Sequence, residues 1–72
     1  MSLLALGETI KKRRRTMKVT QPQLADLAEI SVNTLYKIER GQANPTFETL
    51  HKITSILGLE IKLEIRKNNV GP

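Results

Sequence analysis

Residues 20–41 read Thr-Gln-Pro-Gln-Leu-Ala-Asp-Leu-Ala-Glu-Ile-Ser-Val-Asn-Thr-Leu-Tyr-Lys-Ile-Glu-Arg-Gly. Thr20 offers an N-cap oxygen, and Gln23, three residues on, completes a capping box. Pro22 falls in the first turn, where its missing amide has no helical partner. This predicts a helix over residues 21–28 with Leu24, Leu27 and Ala28 inward. Ser31 caps a second helix over 32–40, whose core side is Leu35 and Ile38 and whose end is marked by Gly41. Two short amphipathic helices are thus joined by a tight turn. The second leaves Asn33, Tyr36, Lys37 and Arg40 on the side away from its apolar stripe.

Upstream, Leu6, Ile10, Arg14 and Met17 recur at spacings of four and three, which predicts a helix over residues 3–17 with Arg14 on its apolar stripe. Downstream, residues 41–45 have turn composition. Thr46 then starts a fourth helix in which Phe47, Leu50, Ile53, Ile56 and Leu57 form the buried side and His51 points outward. Gly58 ends it. From Leu59 the period changes to two: Leu59, Ile61, Leu63 and Ile65 alternate with Glu60, Lys62, Glu64 and Arg66. A lone strand leaves its amides and carbonyls unpaired, and nothing else in the chain alternates this way, so the expected partner is a second copy. Antiparallel pairing centred on Leu63 sets Glu60 against Arg66 and Lys62 against Glu64. Centring on Lys62 gives only repulsive contacts, and centring on Ile61 gives fewer attractive ones. Such cross-strand pairs contribute about 0.2–1 kcal/mol each, enough together to select a register.

The expected class is therefore all-α. Residues 1–58 form a bundle of about four helices, residues 59–67 a dimerisation strand and residues 68–72 a frayed tail. A chain of 72 residues is one small domain, below the size at which a core comfortably offsets ordering entropy. It has no cysteine and a single histidine, which excludes disulfides and thiolate zinc sites, so no metal or cofactor is expected and self-association is the route left for extra stability. No apolar run approaches the roughly 18 residues needed to span a bilayer, and the apolar stretch at residues 3–6 is too short for a signal-peptide core, so a cytoplasmic chain with no membrane partner is expected. No nucleophile with an adjacent base, no carboxylate pair in a foreseeable cleft and no glycine-rich phosphate loop can be assembled, which argues against an enzyme. The formal charge is +5, and all of it lies in residues 1–20, where Lys11, Lys12, Arg13, Arg14, Arg15 and Lys18 oppose Glu8. A polyanion is the expected partner.

The run Leu24-Ala-x-x-Ala-x-Ile-Ser-x-x-Thr-Leu-x-x-Ile-Glu-x-Gly41, with Gln21 before it and Asn44-Pro45 after it, closely resembles the Cro and phage-repressor (XRE) class of lambda-repressor-like helix-turn-helix domains. The strand segment looks like the dimerising C-terminal strand of HipB-type antitoxins, which repress their own operon and engage a kinase toxin. The resemblance implies a homodimeric, sequence-specific repressor on an inverted repeat of double-stranded DNA, with the antitoxin role, including a kinase-type toxin partner, as a companion reading. A protein-interaction module that uses the fold without DNA is the alternative. The resemblance places base reading on Val32, Asn33, Tyr36 and Lys37. Their chemistry fits: Asn33 for adenine, Lys37 for guanine, Val32 for a thymine methyl. Gln21 is expected to bind phosphate, with Thr34, Arg40 and Asn44 as further phosphate contacts. The resemblance also pairs Arg14 with Glu39. One departure matters: Glu29 stands where the class usually has glycine, so the turn is expected to hold a glutamate in a left-handed backbone, at about 1 kcal/mol.

Overall fold

The computed structural model describes residues 1–65. Four helices follow in order: α1 (Leu3–Thr16), α2 (Gln21–Leu27), α3 (Val32–Glu39) and α4 (Phe47–Leu57). Each starts the same way. The hydroxyls of Ser2, Thr20, Ser31 and Thr46 accept from the amides of Ala5, Gln23, Thr34 and Thr49, and Gln23 Oε1 accepts from the Thr20 amide to close the capping box. Each also ends the same way. The residue after the last turn becomes left-handed, at Lys18 (φ 58°), Glu29 (φ 59°), Gly41 (φ 73°) and Gly58 (φ 70°). The next amide then reaches back five residues, from Val19 to Arg14, Ile30 to Ala25, Gln42 to Lys37 and Leu59 to Thr54. Eight local signals thus cut a 58-residue stretch into four rods with fixed joints.

The core is one cluster of Ile10, Leu24, Ala25, Ala28, Leu35, Ile38, Ile53 and Leu57, with Leu6, Val19, Ile30, Leu50 and Ile56 packed at its edge. α1 packs on α3 and α4, and α2 packs on the same two helices. Three expected core residues lie elsewhere. Leu27 is 61% exposed, because the inward arc of α2 is Leu24, Ala25 and Ala28, where small side chains let the helix sit close. Phe47 is 69% exposed and stacks on His51, one turn along, at 5.9 Å between centroids. Residues four apart share a face, so Phe47 could not go inward while His51 went outward. Met17 is exposed because α1 stops at Thr16, and Val19, beyond the left-handed Lys18, packs on the core in its place.

Residues 59–65 form neither helix nor strand in the single chain. Leu59 is partly buried against the core, whereas Leu63 and Ile65 are 98% and 90% exposed. Arg66 and Lys67, which end the expected strand, and the tail over residues 68–72 lie outside the described residues.

Glu29 bears directly on stability. Its left-handed backbone costs about 1 kcal/mol relative to glycine, and its carboxylate meets Lys52 Nζ at 3.1 Å in a pair open to solvent, the Glu29 side chain 75% and the Lys52 side chain 41% exposed. An exposed pair contributes about 0–1 kcal/mol and usually the lower half of that range. Glu29→Gly is therefore expected to stabilise the fold by about 0.5 kcal/mol, read as a higher urea midpoint. A lower midpoint would show that the pair with Lys52 outweighs the backbone term.

Candidate nucleic-acid interface

The site is built on α3. Ser31 holds its first turn: its hydroxyl accepts from the Thr34 amide at 3.0 Å and donates to Thr34 Oγ1 at 2.8 Å. Leu35 and Ile38 bury the inner stripe completely. With the inner stripe fixed by burial, the remaining positions have only one direction to point. Val32, Asn33, Thr34, Tyr36, Lys37 and Arg40 are all exposed, so the four expected base readers share one uncovered face. The Arg40 guanidinium lies 5.3 Å from the centroid of the Tyr36 ring, a cation–π contact that holds the ring beside it. Asn44 is exposed in the loop that follows α3.

Behind this face lies a buried polar network. Arg14 Nε and Nη2 donate to the two carboxylate oxygens of Glu39 at 2.7 and 3.0 Å, a bidentate pair joining α1 to the last turn of α3. Arg14 Nη1 donates to the Val19 carbonyl at 2.9 Å. Gln21 Nε2 donates to Glu39 Oε1 at 2.9 Å, so the side chain expected on phosphate is, in the free chain, tied to the carboxylate of the ion pair. This tether connects the start of α2 to the end of α3. No polar side-chain atom of the described residues is buried without a partner. Sequence reasoning did not anticipate the tether, since it depends on a crossing of three helices that no local pattern records.

The basic run 11–15 is divided by the fold. Arg13 donates from Nε to the Leu57 carbonyl at 2.7 Å and so caps the end of α4, while Arg14 enters the buried pair. Lys12 and Arg15 are exposed and Lys11 half-buried. No group of carboxylates and histidine among the described residues could hold a metal ion, and no helix there is long and apolar enough to cross a membrane.

A helix-turn-helix family profile matches residues 10–63. The chain is 38% identical over 58 residues to an immunity repressor protein of Bacillus phage phi105, covering 81% of this chain and 40% of that one. It is 37% identical over 54 residues to the transcriptional regulator DicA of Escherichia coli, covering 75% of this chain and 40% of that one. The chain therefore spans about two-fifths of the length of these relatives. Among solved structures, the restriction-modification controller protein C.AhdI from Aeromonas hydrophila superposes with a TM-score of 0.77 at 26% identity, over 81% of this chain and 88% of that one. The clp gene regulator ClgR from Corynebacterium glutamicum does so with a TM-score of 0.77 at 30% identity, over 79% and 61%. With its matched profile, its capped α2–turn–α3 unit and these relatives, the chain belongs to the helix-turn-helix family of Cro and the phage repressors, a family of DNA-binding regulators rather than enzymes.

Proposed function

We infer that the chain is a transcriptional repressor that inserts α3 into the major groove of double-stranded DNA as a homodimer on an inverted repeat. One observation carries this reading: Val32, Asn33, Tyr36 and Lys37 are uncovered on a helix whose other stripe is wholly buried, so an edge of functional side chains is presented on a rigid support. Asn33 has the donor and acceptor pair that matches adenine N7 and N6, and Lys37 can donate to guanine O6 and N7. Gln21, Thr34, Arg40 and Asn44 flank that edge as backbone contacts, Gln21 by exchanging Glu39 for a phosphate. The second copy would pair through residues 59–67. Support comes from the near-complete exposure of Leu63 and Ile65 and from the charge alternation that favours a register centred on Leu63. The two recognition helices would then meet half-sites about 34 Å apart, or a multiple of that.

Selection of bound duplexes from a random pool tests this reading, because it returns sequence, symmetry and spacing together. An inverted repeat is expected. Asn33→Ala combined with Lys37→Ala is expected to abolish preference for the selected duplex over unrelated DNA while sedimentation still shows a dimer. Retained preference in that variant would exclude α3 as the reading helix and favour the protein-interaction module.

A further inference from the structure

Beside the reading face, an open cleft runs between the last turns of α1 and the start of α2, and Lys11, Arg15, Lys18, Gln21 and Tyr36 line it. Lys11 and Arg15, four apart, share one face of α1, and Lys18, just beyond its end, lines the same cleft. No carboxylate lines this cleft. Glu8 lies on a neighbouring groove that Lys11, Lys12 and Arg15 also line, and the Glu39 carboxylate is taken by Arg14. Among the described residues none of the three cations is in a salt bridge, in contrast to Arg14, which is paired, and Arg13, which caps α4. Three cations are therefore gathered along one cleft without a salt-bridge partner among the described residues. Tyr36 belongs both to this cleft and to the exposed face of α3, which makes the two surfaces continuous.

Lys18 provides the second observation. It occupies the left-handed residue that ends α1, a position glycine fills at the ends of α3 and α4. A Cβ at Gly41 would approach the Leu4 backbone to 2.8 Å, so that glycine is sterically required as well, but at the end of α1 the chain carries a lysine. A strained residue whose side chain has no partner within the fold points to a use outside it.

We propose that Lys11, Arg15 and Lys18 form a phosphate-binding site that grips the DNA backbone beside the half-site read by α3. The ligand is the duplex's own phosphodiesters, so the site extends the footprint without adding base specificity. This inference rests on the DNA-binding reading above and goes beyond it, since it assigns phosphate contacts to α1 and to residues outside the helix-turn-helix unit.

The test uses the 72-residue chain and mixed-sequence duplex DNA titrated over a range of salt, with thermal unfolding followed in parallel. Each phosphate contact contributes a slope of about 0.9 in the logarithmic salt plot, which amounts to roughly an eight-fold change in affinity at 0.1 M salt. Lys18→Gly is expected to lose that much per bound chain while its unfolding temperature rises by about 4 °C, because the left-handed strain is relieved. The pair Lys11→Gln and Arg15→Gln is expected to lose about twice the slope, and Lys12→Gln, which does not line the cleft, much less. Selectivity for the preferred duplex should survive in all of them. Lys18→Gly and the Lys11/Arg15 variant binding with an unchanged slope, while the wild type binds normally, would overturn the proposal and leave the DNA-binding reading intact. A wild-type chain that binds no duplex, or binds independently of salt, would overturn both.

Discussion

Glu39→Ala is expected to remove about 3–5 kcal/mol of stability, the usual cost of stripping one partner from a buried ion pair. The Arg14 and Glu39 side chains are 9% and 2% exposed, so the guanidinium left behind cannot be rehydrated without opening the contact of α1 with α3. The loss extends past the pair itself. Glu39 accepts two bonds from Arg14 and one from Gln21, so a single truncation leaves both Arg14 donors and the Gln21 amide without their acceptor. A domain of 72 residues has roughly 4–11 kcal/mol in total at typical values per residue, and the variant would be largely unfolded at the lower end of that range. Replacing both partners separates the charge from the packing: Arg14→Met with Glu39→Leu is expected to recover most of the loss, because no orphaned charge remains. Urea denaturation of the two variants makes the comparison. A cost below about 1 kcal/mol for Glu39→Ala would mean that water reaches the pair and that it is not the bolt between α1 and α3.

The parts of this fold that could be read in advance are those fixed within one turn of helix. Thr20 and Gln23, Ser31, Gly41 and Gly58 act on amides and carbonyls only a few residues away, so their roles needed no tertiary knowledge. The exposed face of α3 was legible for a related reason: Leu35 and Ile38 fix the inward direction, and the rest follows from about 100° per residue. What escaped depends on how closely two backbones approach. Ala25 rather than Leu27 fills the interior of α2, because a small residue buries where helices touch, and apolar periodicity gives more weight to the larger leucine. The basic run on α1 was equally opaque. Charge alone cannot tell Arg13, which holds a carbonyl of α4, from Arg15, which faces solvent, since the difference lies in which helix passes beneath each. The alternation at 59–65 reads as a strand, yet these residues form none in the structure, where a single copy offers no hydrogen-bonding partner.

The same close approach makes Gly7→Ala a severe change, against what helix propensity alone would say. Gly7 is buried near the start of α1, where alanine should stabilise an isolated helix by about 1 kcal/mol. In the folded chain, a Cβ built at this position would lie 2.3 Å from the Ile38 carbonyl oxygen and 2.6 Å from that of Glu39. These are backbone atoms of the last turn of α3 and cannot swing aside like the end of a side chain. Either α1 lifts from α3 or the end of α3 unwinds. Lifting α1 separates Ile10 from Leu35 and Ile38 and stretches the bonds from Arg14 to Glu39, which cross the same interface. Unwinding α3 displaces Glu39 and the adjoining Arg40, and with them the contact that holds Tyr36 on the exposed face of α3. Overpacking against unyielding atoms costs about 3 kcal/mol or more, well above the propensity gain. Gly7→Ala is therefore expected to lower the denaturation midpoint sharply, whereas Glu8→Ala, one residue along and exposed, should change stability by less than about 0.5 kcal/mol. The diagnostic is the opposite sign in two contexts: a peptide of α1 alone should gain helicity from the alanine that unsettles the whole domain. If the full chain carrying Gly7→Ala were instead as stable as the wild type, α1 would be free to shift at its crossing with α3, and α3 would lack the rigid support that its proposed role in reading DNA requires.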